Sequence, residues 1–205
     1  MKSHRVLARA FTCLFPILAC AGADDVDGNT RDSGRTKAAS CGAEPGVLTG
    51  SRVGALRIGM TADSVKLLCT VVRDTIEEAE GMPARVLLVA IGADTLRVSV
   101  DRDVVRTIWL RSPRFQTGDS LGVGTSLARL LTFPEIFGGY GEGPSLFVYP
   151  NREVCGLSFQ LDDSTSRAYR GRGPVTKQGL APFAQSARVV GVIVIGTGDC
   201  ATRVQ

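Results

Sequence analysis

The sequence predicts an α+β fold of two similar modules, each a short helix packed on an antiparallel β-meander. Three observations predict it. A glycine-and-threonine helix start occurs twice, at Gly59-Met60-Thr61 and Gly124-Thr125; each is followed by β-branched runs broken by short turns; and the closing runs share a pattern, Val104-Val105-Arg106-Thr107-Ile108-Trp109-Leu110 against Val189-Val190-Gly191-Val192-Ile193-Val194-Ile195. The first module spans 47–114 and the second 115–205, after a signal peptide at 1–19 and a tether at 20–46.

In chain order, Thr61 caps a helix whose apolar stripe is Val65, Leu68, Cys69 and Val72, the spacing of one helical face. Residues 71–80 read either as an extension of that helix, ended by Gly81, or as a further strand. Strands follow at 85–91, 95–100 and 104–110, separated by Gly92-Ala93-Asp94 and Asp101-Arg102-Asp103. The second helix carries Leu127, Leu130 and Leu131 and stops at Pro134. Gly138 to Gly143 reads as a flexible loop, and strands are expected at 145–149, 154–161 and 188–195, with Cys155, Leu157, Phe159 and Leu161 sharing a face. The Gly-, Pro- and Ser-rich stretch 162–185 reads as a mobile insertion kept soluble by Arg167, Arg170 and Arg172.

At the N-terminus, Lys2, Arg5 and Arg9 precede an apolar run from Ala10 to Ala19 that is too short to span a bilayer, the layout of an export signal. Ile17-Leu18-Ala19-Cys20 resembles the lipobox of bacterial lipoproteins, which implies lipidation of Cys20 and anchoring to a membrane through that lipid. Ala19-Cys20-Ala21 and Ala21-Gly22-Ala23 stand as alternative sites of ordinary cleavage, which would leave a soluble periplasmic protein. With a lipid on Cys20, Ala21 at the second mature position implies the outer membrane by the sorting pattern of such proteins. Removing the leader takes the formal charge from +4 to +1, too little to gather nucleic acid. From Ala21 to about Ser40 the chain has almost no large apolar residue and reads as a tether.

Cys41, Cys69, Cys155 and Cys200 then remain, an even set suited to an oxidising compartment. Three pairings are open. Strand adjacency favours Cys155 with Cys200, leaving Cys41 with Cys69; the competing reading keeps Cys69 and Cys155 as buried thiols. No C-x-x-C pair supports a redox or zinc role.

Catalysis finds little to work with, because the one histidine, His4, lies in the leader. Gly118-Asp119-Ser120-Leu121-Gly122 resembles both a nucleophile elbow and an esterase signature, but Ser120 has no histidine to take its proton. A serine esterase is thus the remote alternative, and the preferred reading of the motif is a turn between modules. The close acidic sets Asp162-Asp163, Asp101 with Asp103, and Glu77-Glu78 sit in turns or on polar faces, so neither an acid–base pair nor a metal site is expected, nor any cofactor.

The repeated unit, carried by Gly59-Met60-Thr61 with Val65 and Leu68 and by Gly124-Thr125 with Leu130, resembles small outer-membrane-assembly lipoproteins of the BamE/SmpA type and the tandem modules of β-lactamase-inhibitor proteins. The resemblance implies a non-catalytic protein that binds another envelope protein. The segment from Phe115 to Gly124 also resembles uncharacterised envelope lipoproteins. Partner contacts are expected at Tyr140, at Arg167, Tyr169, Arg170 and Arg172, and at Trp109, for which a core position at the module junction is the competing reading. The alternative function is binding of a small ligand or cell-wall component in a groove between the two halves.

Overall fold

In the computed structural model, residues 41, 46–79, 81–141, 143–150 and 154–196 are described. The expected signal peptide, Cys20, most of the tether and Cys200 lie outside the described residues.

The fold is mostly β, which corrects the two-module expectation. Short strands β1 (Leu48–Thr49), β2 (Arg52–Val53) and β3 (Leu56–Arg57) form a small antiparallel sheet. Helix α1 (Ala62–Leu68) follows, then β4 (Thr70–Ala79), β5 (Met82–Ile91), β6 (Asp94–Asp101) and β7 (Val104–Leu110). After α2 (Leu127–Leu130) come β8 (Ile136–Tyr140), β9 (Leu146–Pro150) and β10 (Leu157–Leu161); α3 (Asp163–Tyr169), α4 (Lys177–Leu180) and a 3-10 turn (Ala181–Phe183) precede β11 (Val189–Val194). One eight-stranded sheet runs β4-β5-β6-β7-β11-β10-β9-β8, with every pairing antiparallel. The described residues all fall in one unit, Arg35–Gln205.

Two four-stranded meanders are thus joined through their last strands, β7 and β11, with Ile193 opposite Trp109. The two halves therefore form one continuous sheet. Alternation puts Leu87, Val98, Ile108, Val194 and Leu157 in one cross-sheet row, and Leu110, Val192, Phe159 and Val148 in the next. These rows are buried against Leu48, Val53 and Leu56 of the small sheet and against Val65, Leu127, Leu130, Tyr169 and Leu180 of the helices. At about 25 cal/mol per Å2 of apolar surface, that shared burial is what holds the layers together.

Local chemistry explains the boundaries. Thr61 Oγ1 accepts from Ser64 N as the cap of α1, but the helix stops after two turns: Cys69 is extended (φ −127°), and Thr70-Val71-Val72 opens β4. Residues 71–79 are therefore strand, not helix extension. The second helix is a single turn capped by Ser126 rather than Thr125, whose Oγ1 instead accepts from Gly122 N at 2.9 Å. Gly138 to Tyr140, read as loop, belongs to β8, since pairing with β9 supplies the order the glycines lack. The stretch 162–185, read as a mobile insertion, holds α3, α4 and the 3-10 turn, anchored by buried Tyr169 and Leu180.

Asp162 ties this region down. Its carboxylate caps α3 by accepting from Thr165 N (2.9 Å) and Thr165 Oγ1 (3.0 Å), bonds Ser164 Oγ, and reaches Arg188 N at the approach to β11 (3.0 Å). Burial pushes its pKa up, but these donors outweigh it and bring the group to about 2. A depressed carboxylate adds stability above its unfolded value near 3.8, and that contribution disappears as pH falls through about 2. Asp162→Ala is therefore expected to lose about 1–2 kcal/mol at neutral pH. In thermal melts, the gap from the unmodified chain should narrow between about pH 4 and pH 2.

Cys41 and Cys69 are disulfide-bonded, with Cα atoms 5.0 Å apart and both residues buried. Cys155 is also disulfide-bonded.

Candidate functional site

The face of the large sheet opposite the helices carries the second set of alternating residues. Register places Arg73, Leu88, Arg97, Trp109, Ile193 and Ser158 in one row across six strands, and Gly191, Gln160, Phe147 and Gly139 in the next. Tyr149 and Phe137 form a further pair at the β8 end, stacked with ring centres 6.1 Å apart.

A hollow of about 150 Å3 opens on this face between Thr95, Arg97, Trp109 and Arg111. Strand geometry builds it. Thr95 and Arg97 are two apart on β6, Trp109 and Arg111 are two apart at the end of β7, and Arg97 lies directly opposite Trp109. The Trp109 indole forms the wall, with Phe147 edge-on at 6.4 Å and the Arg111 guanidinium 5.6 Å over its ring. Glu77 holds the Arg97 guanidinium at 2.9 Å, whereas no carboxylate among the described residues pairs with Arg111. The hollow therefore combines an aromatic wall, a hydroxyl and an excess positive charge.

Behind the indole stands a polar pair. Trp109 Nε1 and Gln160 Oε1 are both buried without a hydrogen-bond partner, a donor and an acceptor, while Gln160 Nε2 donates to Ser145 Oγ at 2.8 Å. They flank Gly191, where a Cβ would lie 3.0 and 2.8 Å from them. A larger residue would press on both, so glycine leaves the indole its place.

The other residues expected to meet a partner are distributed differently. Tyr140 is 37% exposed; its hydroxyl donates to Ser166 O at 2.9 Å, and the Arg170 guanidinium sits 5.8 Å over its ring, so these two meet at the end of α3. Burial raises the Tyr140 pKa. Tyr169 is 1% exposed: it donates to Pro174 O at 2.9 Å and packs edge-on against Phe183, which takes it out of reach of an outside partner and corrects its reading as a contact. Arg167 is exposed on α3, and Arg172 lies 5.2 Å over Phe183 with Nε donating to Ala168 O at 2.8 Å. Trp109 stands on the opposite face from this cluster, half-buried and lining the hollow. Thr95, Arg97 and Arg111 were not distinguished by sequence reasoning; the signal was their alternation with Leu96, Val98 and Leu110.

The remaining candidates have structural roles. Ser120 sits in a turn with φ 59°, its N donating to Thr117 O at 2.9 Å. Asp103 and Asp74 pair with Arg85, Lys66 also reaches Asp74 at 2.8 Å, and Asp101 faces Arg106. Hydrogen bonds from Arg85 and Lys66 hold the Asp74 carboxyl well below the usual range. Among the described residues, no cluster of His, Cys, Asp and Glu is placed to hold a metal, and no helix is long and apolar enough to cross a membrane.

No protein-family model matches the chain, and no curated protein matches it at a significant level. Among solved structures it is similar to the crystal structure of the uncharacterized protein yfeY from Escherichia coli, at a TM-score of 0.50 and 15% sequence identity, covering 72% of this chain and 98% of that one. At this identity the likeness concerns the fold alone.

Proposed function

We propose that this is a non-catalytic cell-envelope protein that binds another protein through the face of its large sheet opposite the helices, with the Trp109 hollow gripping an acidic side chain of the partner. The observation that carries the reading is the hollow itself: an aromatic wall beside an arginine that no carboxylate among the described residues neutralises. Tryptophan and arginine contribute more binding energy than other residues at protein interfaces, and a guanidinium suits a carboxylate through two parallel hydrogen bonds. The envelope assignment rests on the export signal, the lipobox resemblance at Cys20 and the disulfides.

Trp109 is the one tryptophan of the chain, so its fluorescence reports the site directly. Titration with a short oligoglutamate peptide is expected to change that emission saturably, while an uncharged glycine–serine peptide leaves it unchanged. Arg111→Ala should weaken the response about threefold to tenfold, the effect of losing a partly exposed charged contact. Equal responses to both peptides, or an undiminished response in Arg111→Ala, would sink the proposal. For the full partner, crosslinked capture from native envelopes should enrich a protein that Trp109→Ala no longer retains.

A further inference from the structure

The large sheet ends in two edge strands of opposite character. β4 carries Arg73, Asp74, Glu77 and Glu78 and has a register shift between Val71 and Arg73, the charges and irregularity that keep an edge from pairing. β8 reads Ile136-Phe137-Gly138-Gly139-Tyr140, with no charged residue, and among the described residues no strand pairs with its outer side. Gly141 N donates to Ser145 O across the hairpin at 3.3 Å. Bonded and non-bonded pairs alternate along an antiparallel ladder, so Phe137 and Gly139 bond to β9, while Ile136, Gly138 and Tyr140 direct their N–H and C=O groups away from the sheet.

We propose that β8 pairs with β8 of a second copy of this chain, antiparallel about a two-fold axis at Gly138. Charge selects this occupant. A neutral edge does not repel its own copy, whereas β4, with Asp74, Glu77 and Glu78 against the single Arg73, would meet its own copy with the same net negative charge. The side chains fit the same register. Gly138 faces its own counterpart as a bonded pair, Ile136 faces Tyr140, and Phe137 falls in the closer, non-bonded pair opposite Gly139 of the second copy. The space over Gly139 is open, since a Cβ there would meet nothing within 4 Å. Phe137 is 45% exposed and already braced against Tyr149, so its ring covers that glycine without being newly immobilised. The contact is isologous and closes at two copies, because the other edge is guarded.

The test is sedimentation equilibrium of the purified full chain across a series from low to high micromolar concentration. The expected result is a rise to twice the mass of one chain. Gly139→Lys fills the open space with a charge and is expected to abolish the doubling while leaving the far-ultraviolet circular dichroism and the dilute melting temperature unchanged. Phe137→Asp, altered at an exposed position, should do the same should Gly139→Lys prove unstable. A single-chain mass at every concentration overturns the proposal, as does a doubling that both variants retain, which would place the contact elsewhere.

Discussion

Gly50→Ala is expected to destabilise the protein by about 3 kcal/mol or more, beyond the common range for a single added methyl group. Gly50 forms the turn between β1 and β2, and a Cβ there would overlap the carbonyl of Cys155 and lie 3.2 Å from the Cα of Gly156. Nothing nearby can rotate away, because the obstacle is backbone. Gly156 is itself at φ 83°, and a Cβ on it would meet the Gly50 carbonyl. Both glycines also accept bonds, Gly196 N donating to Gly50 O and Ile195 N to Gly156 O, each at 2.9 Å. Alanine must therefore pry the small sheet from the turn before β10. For a domain of this size the loss corresponds to roughly 10 °C in melting temperature. Gly118→Ala, whose Cβ would meet nothing within 4 Å and whose φ is not in the left-handed region, is the control and should melt close to the unmodified protein. Similar melting of the two variants would show that the junction relaxes.

Replacing both Cys41 and Cys69 by alanine is the second large effect. The bond closes a loop of 28 residues, and the chain-entropy estimate for such a loop is about 3.5 kcal/mol. It joins the segment before β1 to the residue that ends α1, so its loss frees the start of the folded region as well as the helix end. The double variant should melt about 10 °C lower. Reductant should lower the unmodified protein at least as far, because Cys155 is bonded too. A double variant melting within about 2 °C of the unmodified protein would assign the stabilisation to packing instead.

What the sequence discloses follows the range of the forces involved. β5 to β7 and β9 to β11 were legible because Leu87, Val98, Ile108 and Phe159 alternate with outward residues, a signal contained within each strand. The Thr61 cap was legible for the same reason. The joining of the halves was not: likeness between 104–110 and 189–195 reads as repetition, and nothing local says that the two runs lie side by side. β8 was hidden because Gly138 and Gly139 have no strand preference of their own; Phe147, opposite Gly139, supplies it. In 162–185, the Asp162 and Thr176 caps and the apolar Tyr169 and Leu180 were present in the sequence but outweighed by Gly and Pro. Trp109 was distinguishable as the lone tryptophan. Its neighbours Arg97 and Arg111 became a site only through register.

The pairing of β7 with β11 has a kinetic meaning as well. Each meander is built from hairpins between sequence neighbours, whereas Leu110 must find Val192 across most of the described chain. Loop-closure entropy makes such an encounter slow, although its cost grows only logarithmically with length. The halves thus form two local folding units welded by one late seam. Amide exchange should mark that seam: the β7 and β11 amides bonded across it are expected to exchange through an opening that leaves the hairpins of each half protected.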